Sequence, residues 1–372
     1  MPAAPSLIVF LGGMGGSPIE EQLGEALAEA ALDLLEEAAA TSAFSDIILV
    51  AGNDRLDSRL PADVIVDRDA APFHFGRRLA ALVRDREIER PVYAGAGAAP
   101  LLRGSDLAAV ARHLAATENT VISNNYFSAD LVAFTPGDAL LRIEPPERDN
   151  LLPRLLHDQA GLESQPLPRT SASQFNIDSP ADLAILKLAG GGGPNLTRYV
   201  ASIDFDLSAY ETLLRALVDP SAEVVLAGRV GSQVWRHLES ETACRLRVFS
   251  EERGLRAAGR EESGQPRSLL AFHLREVGCE RFFAELSELG DAACIDTRPL
   301  LAHLGVQASR SDRFWSDLGR AGMIEDPFLR EFTAAANAAP IPVVLGGHSL
   351  VAGGLMLLTE AAWRAEDRRA QS

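Results

Sequence analysis

Residues 6–17 read SLIVFLGGMGGS, and this stretch decides the fold. A small residue and five apolar ones run without interruption into two glycines, as in a strand buried on both faces of a parallel sheet. A glycine-rich loop between a strand and a helix can wrap phosphate groups with its backbone N–H groups. The loop is neither G-x-G-x-x-G nor a Walker A sequence. Its candidate ligand-binding residues are Gly12, Gly13, Gly15, Gly16 and Ser17.

The first half of the chain alternates predicted strands and helices. Further strands are predicted at 46–51, 63–66, 91–94, 120–123 and 129–135, and helices at 19–40, 71–86, 105–116, 147–160 and 180–188. This alternation predicts an α/β fold with a Rossmann-like, mostly parallel sheet. Several predicted strands run straight into glycine, where the backbone can approach a ligand closely. The carboxyl ends of strands form the ligand crevice of open α/β sheets.

Residues 190–194 read GGGGP, which cannot continue a helix and predicts a linker. We therefore expect one domain over 1–189 and a second, α/β or α+β, domain over 195–372. In the second half, strands are predicted at 223–227 and 342–345, and helices at 207–217, 268–274, 280–289 and 328–338. Residues 251–267 are charged and glycine-rich, which indicates a solvated loop or an active-site flap.

The composition excludes several classes of protein. The chain has 372 residues, with 35 basic residues against 52 acidic ones and a net charge of −17, so we expect no nucleic-acid partner. No apolar run has the roughly 20 residues that a membrane span needs, and no signal peptide opens the chain. We expect a cytoplasmic, bacterial protein. Its oligomeric state cannot be inferred from the sequence.

Three segments together resemble the MobA-like nucleotidyltransferases, which include molybdenum-cofactor guanylyltransferase and 2-phospho-lactate guanylyltransferase. The first is the glycine-rich loop at 12–17, the second is YAGAGAAPLL at 93–102, and the third is NIDSPADL at 176–183. They follow the family's order and spacing over residues 6–189, about half of the chain. The resemblance implies a sheet of nucleotidyltransferase (nucleotide-diphospho-sugar transferase) type.

The resemblance also implies a reaction and a set of site residues. The domain would bind a nucleoside triphosphate, transfer a nucleotidyl group to a small phosphorylated or cofactor-type acceptor, and release pyrophosphate. The triphosphate would lie on the loop at 12–17, with base contacts near Asn53 and Gly95. Asn176 or Asp178 would help to hold Mg²⁺.

Positive charge is the property that the first 54 residues lack. They contain no Lys or Arg, and the helix after the loop carries Glu20, Glu21 and Glu25. Phosphoryl chemistry depends on positive charge that stabilises the transition state. Arg310 and Arg313 are the candidates to supply it from the second half, because guanidinium groups bind phosphates bidentately. The same residues also suit a solvated helix start with local salt bridges.

Two other functions remain open at the level of sequence. The first half could be a catalytically degenerate module that binds a nucleotide or another small ligand with a regulatory role. Alternatively, Asp204-Phe205-Asp206 could be the D-x-D metal site of a glycosyltransferase, although that motif normally lies inside the nucleotide-binding sheet rather than after a glycine linker.

Overall fold

A computed structural model describes residues 3–69, 72–254, 260 and 263–371. The chain divides into two compact units. Unit 1 comprises Met1–Met14, Gly24–Asn176 and Gly192–Tyr199, and unit 2 comprises Gly15–Leu23, Ile177–Gly191 and Val200–Ser372. Part of the loop or flap predicted at 251–267 lies outside the described residues. The predicted domain limits at 189 and 195 stay a prediction.

Unit 1 contains a seven-stranded sheet in the order β3-β2-β1-β4-β6-β5-β7. The strands are β1 (Ser6–Leu11), β2 (Ile47–Ala51), β3 (Val64–Arg68), β4 (Pro91–Gly95), β5 (Thr120–Ser123), β6 (Leu131–Thr135) and β7 (Glu163–Pro166). Only β6 runs antiparallel to its neighbours, β4 and β5, among the described strands of this sheet. The carboxyl ends of β1, β2 and β4 therefore meet the amino end of β6 at one edge.

Helices cover both faces of this sheet. They are α1 (Pro18–Ala39), α2 (Phe75–Asp85), α3 (Gly104–Ala115), α4 (Leu152–Asp158) and α5 (Ser171–Gln174). Alternate residues of β1 enter two different cores. Leu7 and Val9 pack with residues of α1 and α3, whereas Ile8 and Phe10 pack with residues of α2 and α4. Burial on both faces is why β1 is apolar at every position after Ser6.

Unit 2 contains a four-stranded sheet in the order β11-β10-β8-β9, in which all three pairs are parallel. The strands are β8 (Glu223–Gly228), β9 (Arg245–Ser250), β10 (Ala292–Asp296) and β11 (Val343–Gly346). The helices are α6 (Pro180–Ala189), α8 (Ser208–Leu217), α9 (Ser232–Glu241), α10 (Leu269–Val277), α11 (Cys279–Ser287), α12 (Arg298–Leu304), α13 (Arg310–Asp317), α14 (Pro327–Asn337) and α15 (Leu355–Ala370), and α7 (Pro194–Ser202) begins in unit 1.

The structure confirms the predicted fold class: a mostly parallel, Rossmann-like sheet is accompanied by a second α/β sheet. The sequence analysis did not predict β7, β9 or β10. β9 and β7 are partly exposed and rich in charged or polar residues, so they lack an apolar run. The helix predicted at 147–160 is shorter, because a 3₁₀ turn at Asp149–Leu151 precedes α4.

Among the described residues, no helix combines the length and the apolarity that a bilayer span requires.

One buried carboxylate fixes the segment after the glycine stretch to unit 1. Asp33, on α1, is 4% exposed. Its Oδ1 accepts hydrogen bonds from the backbone and side-chain nitrogens of Asn195, and its Oδ2 accepts one from the backbone N–H of Leu196, all at 2.9 Å. Asp33 thereby satisfies backbone donors in the first turn of α7 from outside that helix.

We expect Asp33→Ala to lower the free energy of unfolding by about 3 kcal/mol, because three donors lose a buried charged acceptor. Urea unfolding followed by circular dichroism measures the change. Asp204→Ala, at an exposed carboxylate of unit 2, is the control and should stay within about 0.5 kcal/mol of the wild type. Equal effects of the two substitutions would contradict this role of Asp33.

Candidate functional site

The glycine-rich loop lies at the carboxyl end of β1, between the carboxyl ends of β2 and β4. Gly12, Gly13, Gly15 and Gly16 are exposed. A Cβ added to Gly12, Gly13 or Gly15 would meet no atom within 4 Å, so the space beside the backbone is open there. Gly16 has a φ of +121°, a conformation that L side chains rarely adopt.

Ser17 caps the helix that follows the loop. Its Oγ accepts a hydrogen bond from the backbone N–H of Glu20 at 3.4 Å and donates one to Glu20 Oε2 at 3.0 Å. Pro18 occupies the first helical position, which suits its fixed φ and missing N–H. Ser17-Pro18-Ile19-Glu20 is thus a helix start with the S-x-x-E spacing of a capping box. The predicted ligand-binding role of Ser17 comes in addition to this structural one.

Arg310 lies beside this helix start, within unit 2. Its Nε is 3.7 Å from Glu20 Oε1, and about half of the Arg310 side chain is exposed. The pair offsets one of the carboxylates that would repel a phosphate near the loop. Arg313, one turn further along α13, is partly buried and donates from Nη1 to the carbonyl oxygen of Ala308 at 2.6 Å. Residues three apart on a helix lie on neighbouring parts of one face.

The predicted base-contact residues follow the strands on either side of β1. Asn53 is exposed after β2, and its Oδ1 accepts a hydrogen bond from the N–H of Arg55 at 3.1 Å. Gly95 ends β4, and its N–H donates to the carbonyl oxygen of Asp130 at 2.9 Å. A Cβ on Gly95 would lie 3.8 Å from Asp149 Oδ2. Both positions are at the same edge of the sheet as the loop.

Three polar residues that the sequence analysis did not single out, Tyr93, Asp130 and Asp149, lie around Gly95. Asn176 Nδ2 donates to the carboxylate of Asp130, and Asn176 Oδ1 accepts the N–H of Ala99 at 3.1 Å. Tyr93 OH donates to Asp149 Oδ2 at 2.7 Å. Burial raises the pKa of Asp149, and burial followed by the charge of Asp149 raises that of Tyr93 well above its usual value. Asp130 reaches this edge because β6 runs antiparallel.

Asp178, the other predicted metal ligand, belongs to unit 2 and is exposed. Its backbone N–H donates to Asp182 Oδ2 at 2.9 Å, as does the N–H of Ser179 at 2.8 Å. Asp182 therefore closes the capping box of α6. Asp182 is 1% exposed, and burial, followed by the charge of Asp178, raises its pKa to about 8.

The predicted site residues thus fall into two groups, one in each unit. Asn53, Gly95 and Asn176 lie in unit 1 with Gly12 and Gly13, whereas the remaining predicted residues, Gly15, Gly16, Ser17, Asp178, Arg310 and Arg313, lie in unit 2. The described residues hold no group of three or more His, Cys, Asp or Glu side chains suited to a metal ion. The amide oxygen of Asn176 accepts one hydrogen bond, from Ala99, and Asp178 is exposed in unit 2, so the role of either residue in holding Mg²⁺ stays a prediction.

A cavity of unit 1 lies at the opposite edge of the sheet. It has a volume of about 720 Å³ and is lined by residues that include Arg90, Asn119 and Pro136. Arg90 directly precedes β4 and Asn119 directly precedes β5, so these are the amino ends of parallel strands. Ligands of open α/β sheets bind outside the carboxyl ends. We therefore place the candidate site at the loop and not in this cavity.

Comparisons with known proteins give weak likenesses only. No family model matches the chain, and no curated protein matches it. A cytidylyltransferase from Leptospira borgpetersenii serovar Hardjo-bovis is 16% identical, with a TM-score of 0.38 over 51% of this chain and 86% of that one. Rv0371c from Mycobacterium tuberculosis H37Rv is 19% identical, with a TM-score of 0.32 over 45% of this chain and 89% of that one.

A third solved structure is CMP:2-keto-3-deoxy-manno-octonic acid synthetase complexed with CTP. It is 14% identical, with a TM-score of 0.35 over 49% of this chain and 95% of that one. TM-scores below 0.5 are too low to carry an argument. The fold class stated above therefore rests on the strand order and directions of the two sheets.

The raised pKa of Asp182 predicts a pH dependence of stability. The folded state keeps this carboxyl protonated up to about pH 8, whereas the unfolded chain releases the proton near pH 4. The unfolded state thus binds fewer protons between these values, and the free energy of unfolding falls as the pH rises through this window. We expect Asp182→Asn, which keeps an acceptor for the cap, to reduce the loss of stability between pH 5 and pH 8.

Urea midpoints at pH 5, 6, 7 and 8 measure this effect. Glu360→Gln, on the last helix, is the control and should retain the slope of the wild type. An unchanged slope in Asp182→Asn would show that Asp182 is ionised in the folded protein.

Proposed function

We propose that this chain is a nucleotidyltransferase-like enzyme that binds a nucleoside triphosphate at the carboxyl edge of the seven-stranded sheet. In the proposed reaction it transfers the nucleotidyl group to a small acceptor and releases pyrophosphate. The observation that carries the proposal is the glycine-rich loop. The loop is exposed at the end of a central, fully buried strand, and the space beside Gly12, Gly13 and Gly15 is open.

The chemistry of the loop suits phosphate oxygens. Backbone N–H groups of successive small residues can donate hydrogen bonds to an anion without interference from side chains. The loop leads into α1, a helix of 22 residues whose amino end carries a partial positive charge. Asn53 and Gly95, after the neighbouring strands, are proposed to contact the nucleoside.

Arg310 is proposed to offset negative charge on the phosphates. Its guanidinium lies near Glu20, so that carboxylate is partly neutralised before any ligand binds. Arg313 is proposed to add a second positive charge from the same helix. Preorganised positive charge of this kind stabilises the transition state more than the ground state.

The need for Mg²⁺ and the role of Asn176 or Asp178 in holding the ion stay predictions. No step of the proposed reaction is therefore assigned to the ion. The specific MobA-like resemblance and a phosphorylated or cofactor-type acceptor also stay predictions. The polar cluster of Asp130, Asp149 and Asn176 is proposed to contact the ligand at the end of β4.

The first test is a thermal-shift panel of the full chain with ATP, CTP, GTP and UTP, each with and without Mg²⁺. A ligand at 100 times its Kd stabilises the folded state by about 2.7 kcal/mol, which raises Tm measurably. We expect a shift with one nucleotide, and release of pyrophosphate when an acceptor is added. A shift without pyrophosphate release under any acceptor tried would favour the non-catalytic binding protein. The absence of any shift would contradict the proposal.

Gly13→Asp tests the loop directly. It places a carboxylate beside the proposed phosphates in a position with open space, so we expect folding to be retained and the nucleotide-induced shift to be lost. Gly322→Asp makes the same change at an exposed glycine of unit 2 that is equally open, and it should retain the shift. Equal shifts in both variants would remove the loop from the site.

Arg310→Ala tests the proposed role of its charge. We expect the Kd for the triphosphate to rise about tenfold or more, because a cation is lost and the negative charge of Glu20 is no longer offset. Isothermal titration calorimetry measures the Kd. Arg236→Ala, at an exposed arginine of α9, is the matched control and should leave it unchanged. An unchanged Kd in Arg310→Ala would assign Arg310 to a surface ion pair alone.

A further inference from the structure

Each of the four parallel strands of unit 2 is followed within three residues by a basic side chain. Arg229 follows β8, Arg253 follows β9, Arg298 follows β10 and His348 follows β11. Because all four strands are parallel, these residues leave the sheet at the same edge. Such a concentration of basic groups is notable in a chain whose net charge is −17.

This edge contains the point at which the strand order reverses. From β8 the chain passes to β9 on one side of it, and then to β10 on the other side. Ligands of open α/β sheets bind in the crevice at such a switch point. The residues that flank it here are Arg229 after β8 and Asp296 at the end of β10.

Arg229 is held in a fixed orientation by Asp296. Its Nε and Nη2 donate to the two carboxylate oxygens of Asp296 at 2.6 and 3.0 Å. The Asp296 side chain is fully buried, whereas the Arg229 side chain is 26% exposed. The two strand ends also approach each other closely, because a Cβ on Gly228 would overlap with the Cβ of Asp296. The pair therefore presents an arginine at the crevice without the entropy cost of ordering it on ligand binding.

Two glycines bring the other arginines against neighbouring strand ends. A Cβ on Gly231 would lie 2.6 Å from Arg253 Nη1, so this guanidinium rests on the segment that follows β8. A Cβ on Gly347 would lie 3.8 Å from Arg298 Nη2, which places the Arg298 guanidinium beside the segment that follows β11. Adjacent strand ends are thus linked by arginine side chains.

Three acidic residues near this edge, among those that the structure describes, already have partners. Asp296 pairs with Arg229, and Asp317 accepts from Arg298 Nη1 and Nη2 at 2.8 and 2.5 Å. Glu251 accepts the hydroxyl of Ser268 at 2.6 Å. Burial is the main cause that lowers the pKa of the partly buried His348 to about 3. The charges of Arg229 and Arg253 lower this pKa further, and the charge of Asp296 opposes them.

From this convergence we propose that the carboxyl edge of the four-stranded sheet is a second ligand site, which binds the phosphate group of a small phosphate monoester. Arg229 and Arg253 bind the phosphate oxygens, and the neutral imidazole of His348 supplies a further hydrogen bond. Guanidinium groups match the geometry of a phosphate, and its two negative charges require more than one cation. The site consists of unit 2 residues alone and does not depend on the nucleotide site proposed above.

The test is isothermal titration calorimetry of the full chain with phenyl phosphate, inorganic phosphate and benzoate at constant ionic strength. We expect phenyl phosphate to bind, and Arg253→Gln to weaken its binding about tenfold or more through the loss of a charge-assisted hydrogen bond. Arg253 is exposed, so the variant should fold with an unchanged Tm. Arg236→Gln, at an exposed arginine of α9, is the matched control and should bind like the wild type.

Gly13→Asp separates this site from the glycine-rich loop. Binding that is lost in Arg253→Gln and kept in Gly13→Asp supports the proposal, whether or not nucleotides bind. Three results would overturn it: no binding of phenyl phosphate, equal binding by Arg253→Gln and Arg236→Gln, or benzoate binding at least as tight as phenyl phosphate. The last result would assign the edge to carboxylates.

Discussion

The burial of β1 on both faces is the constraint on which unit 1 depends. The strand is hydrogen-bonded to a parallel strand on either side and covered by helices above and below. No polar side chain can be accommodated along it after Ser6 without a buried partner. Groups that can bind a ligand are therefore expected beyond the end of β1, where the chain continues into the glycine-rich loop. The loop and the polar groups at the end of β4 are consequences of this arrangement.

Arginine supplies nearly all of the positive charge in this protein, and its placement decides where anions can bind. The first 54 residues carry no Lys or Arg, yet an arginine from α13 lies beside the acidic start of α1. At the edge of the second sheet, arginines are fixed by buried carboxylates. A guanidinium that has one side bonded to an aspartate still has donors on the other side. The ion pairs of Arg229 with Asp296 and of Arg298 with Asp317 therefore orient the cations as well as neutralise them.

Two buried aspartates of unit 2 show how surroundings set ionisation. Burial raises the pKa of both, but Arg229 next to Asp296 reverses the direction and holds its pKa below the usual value. Asp182 has no such cation among its main influences, and the neighbouring Asp178 raises its pKa further. Asp296 is therefore the charged partner that orients an arginine, whereas Asp182 is a neutral cap residue at moderate pH. The sequence analysis predicted neither of these ionisation states.

The sequence by itself determined the elements that local patterns encode. The apolar run of β1, the glycines after it and the helix that begins at Pro180 were predicted correctly, because hydrophobic periodicity and turn chemistry act over a few residues. These patterns predicted the α/β class and the exposed loop. The sequence also indicated Arg310 as a source of positive charge. It did not predict that Arg310 lies near Glu20.

Only the tertiary structure decided the direction of β6. Because β6 runs antiparallel, Asp130 lies beside Asn176 at the edge of the sheet near the loop. It also decided that Arg310 lies near Glu20, and that four basic residues from four strands share one edge. Strand order and direction depend on hydrogen bonds between segments far apart in the chain. A strand has the same apolar pattern whichever way it runs, so its local sequence does not specify the edge at which its ends lie.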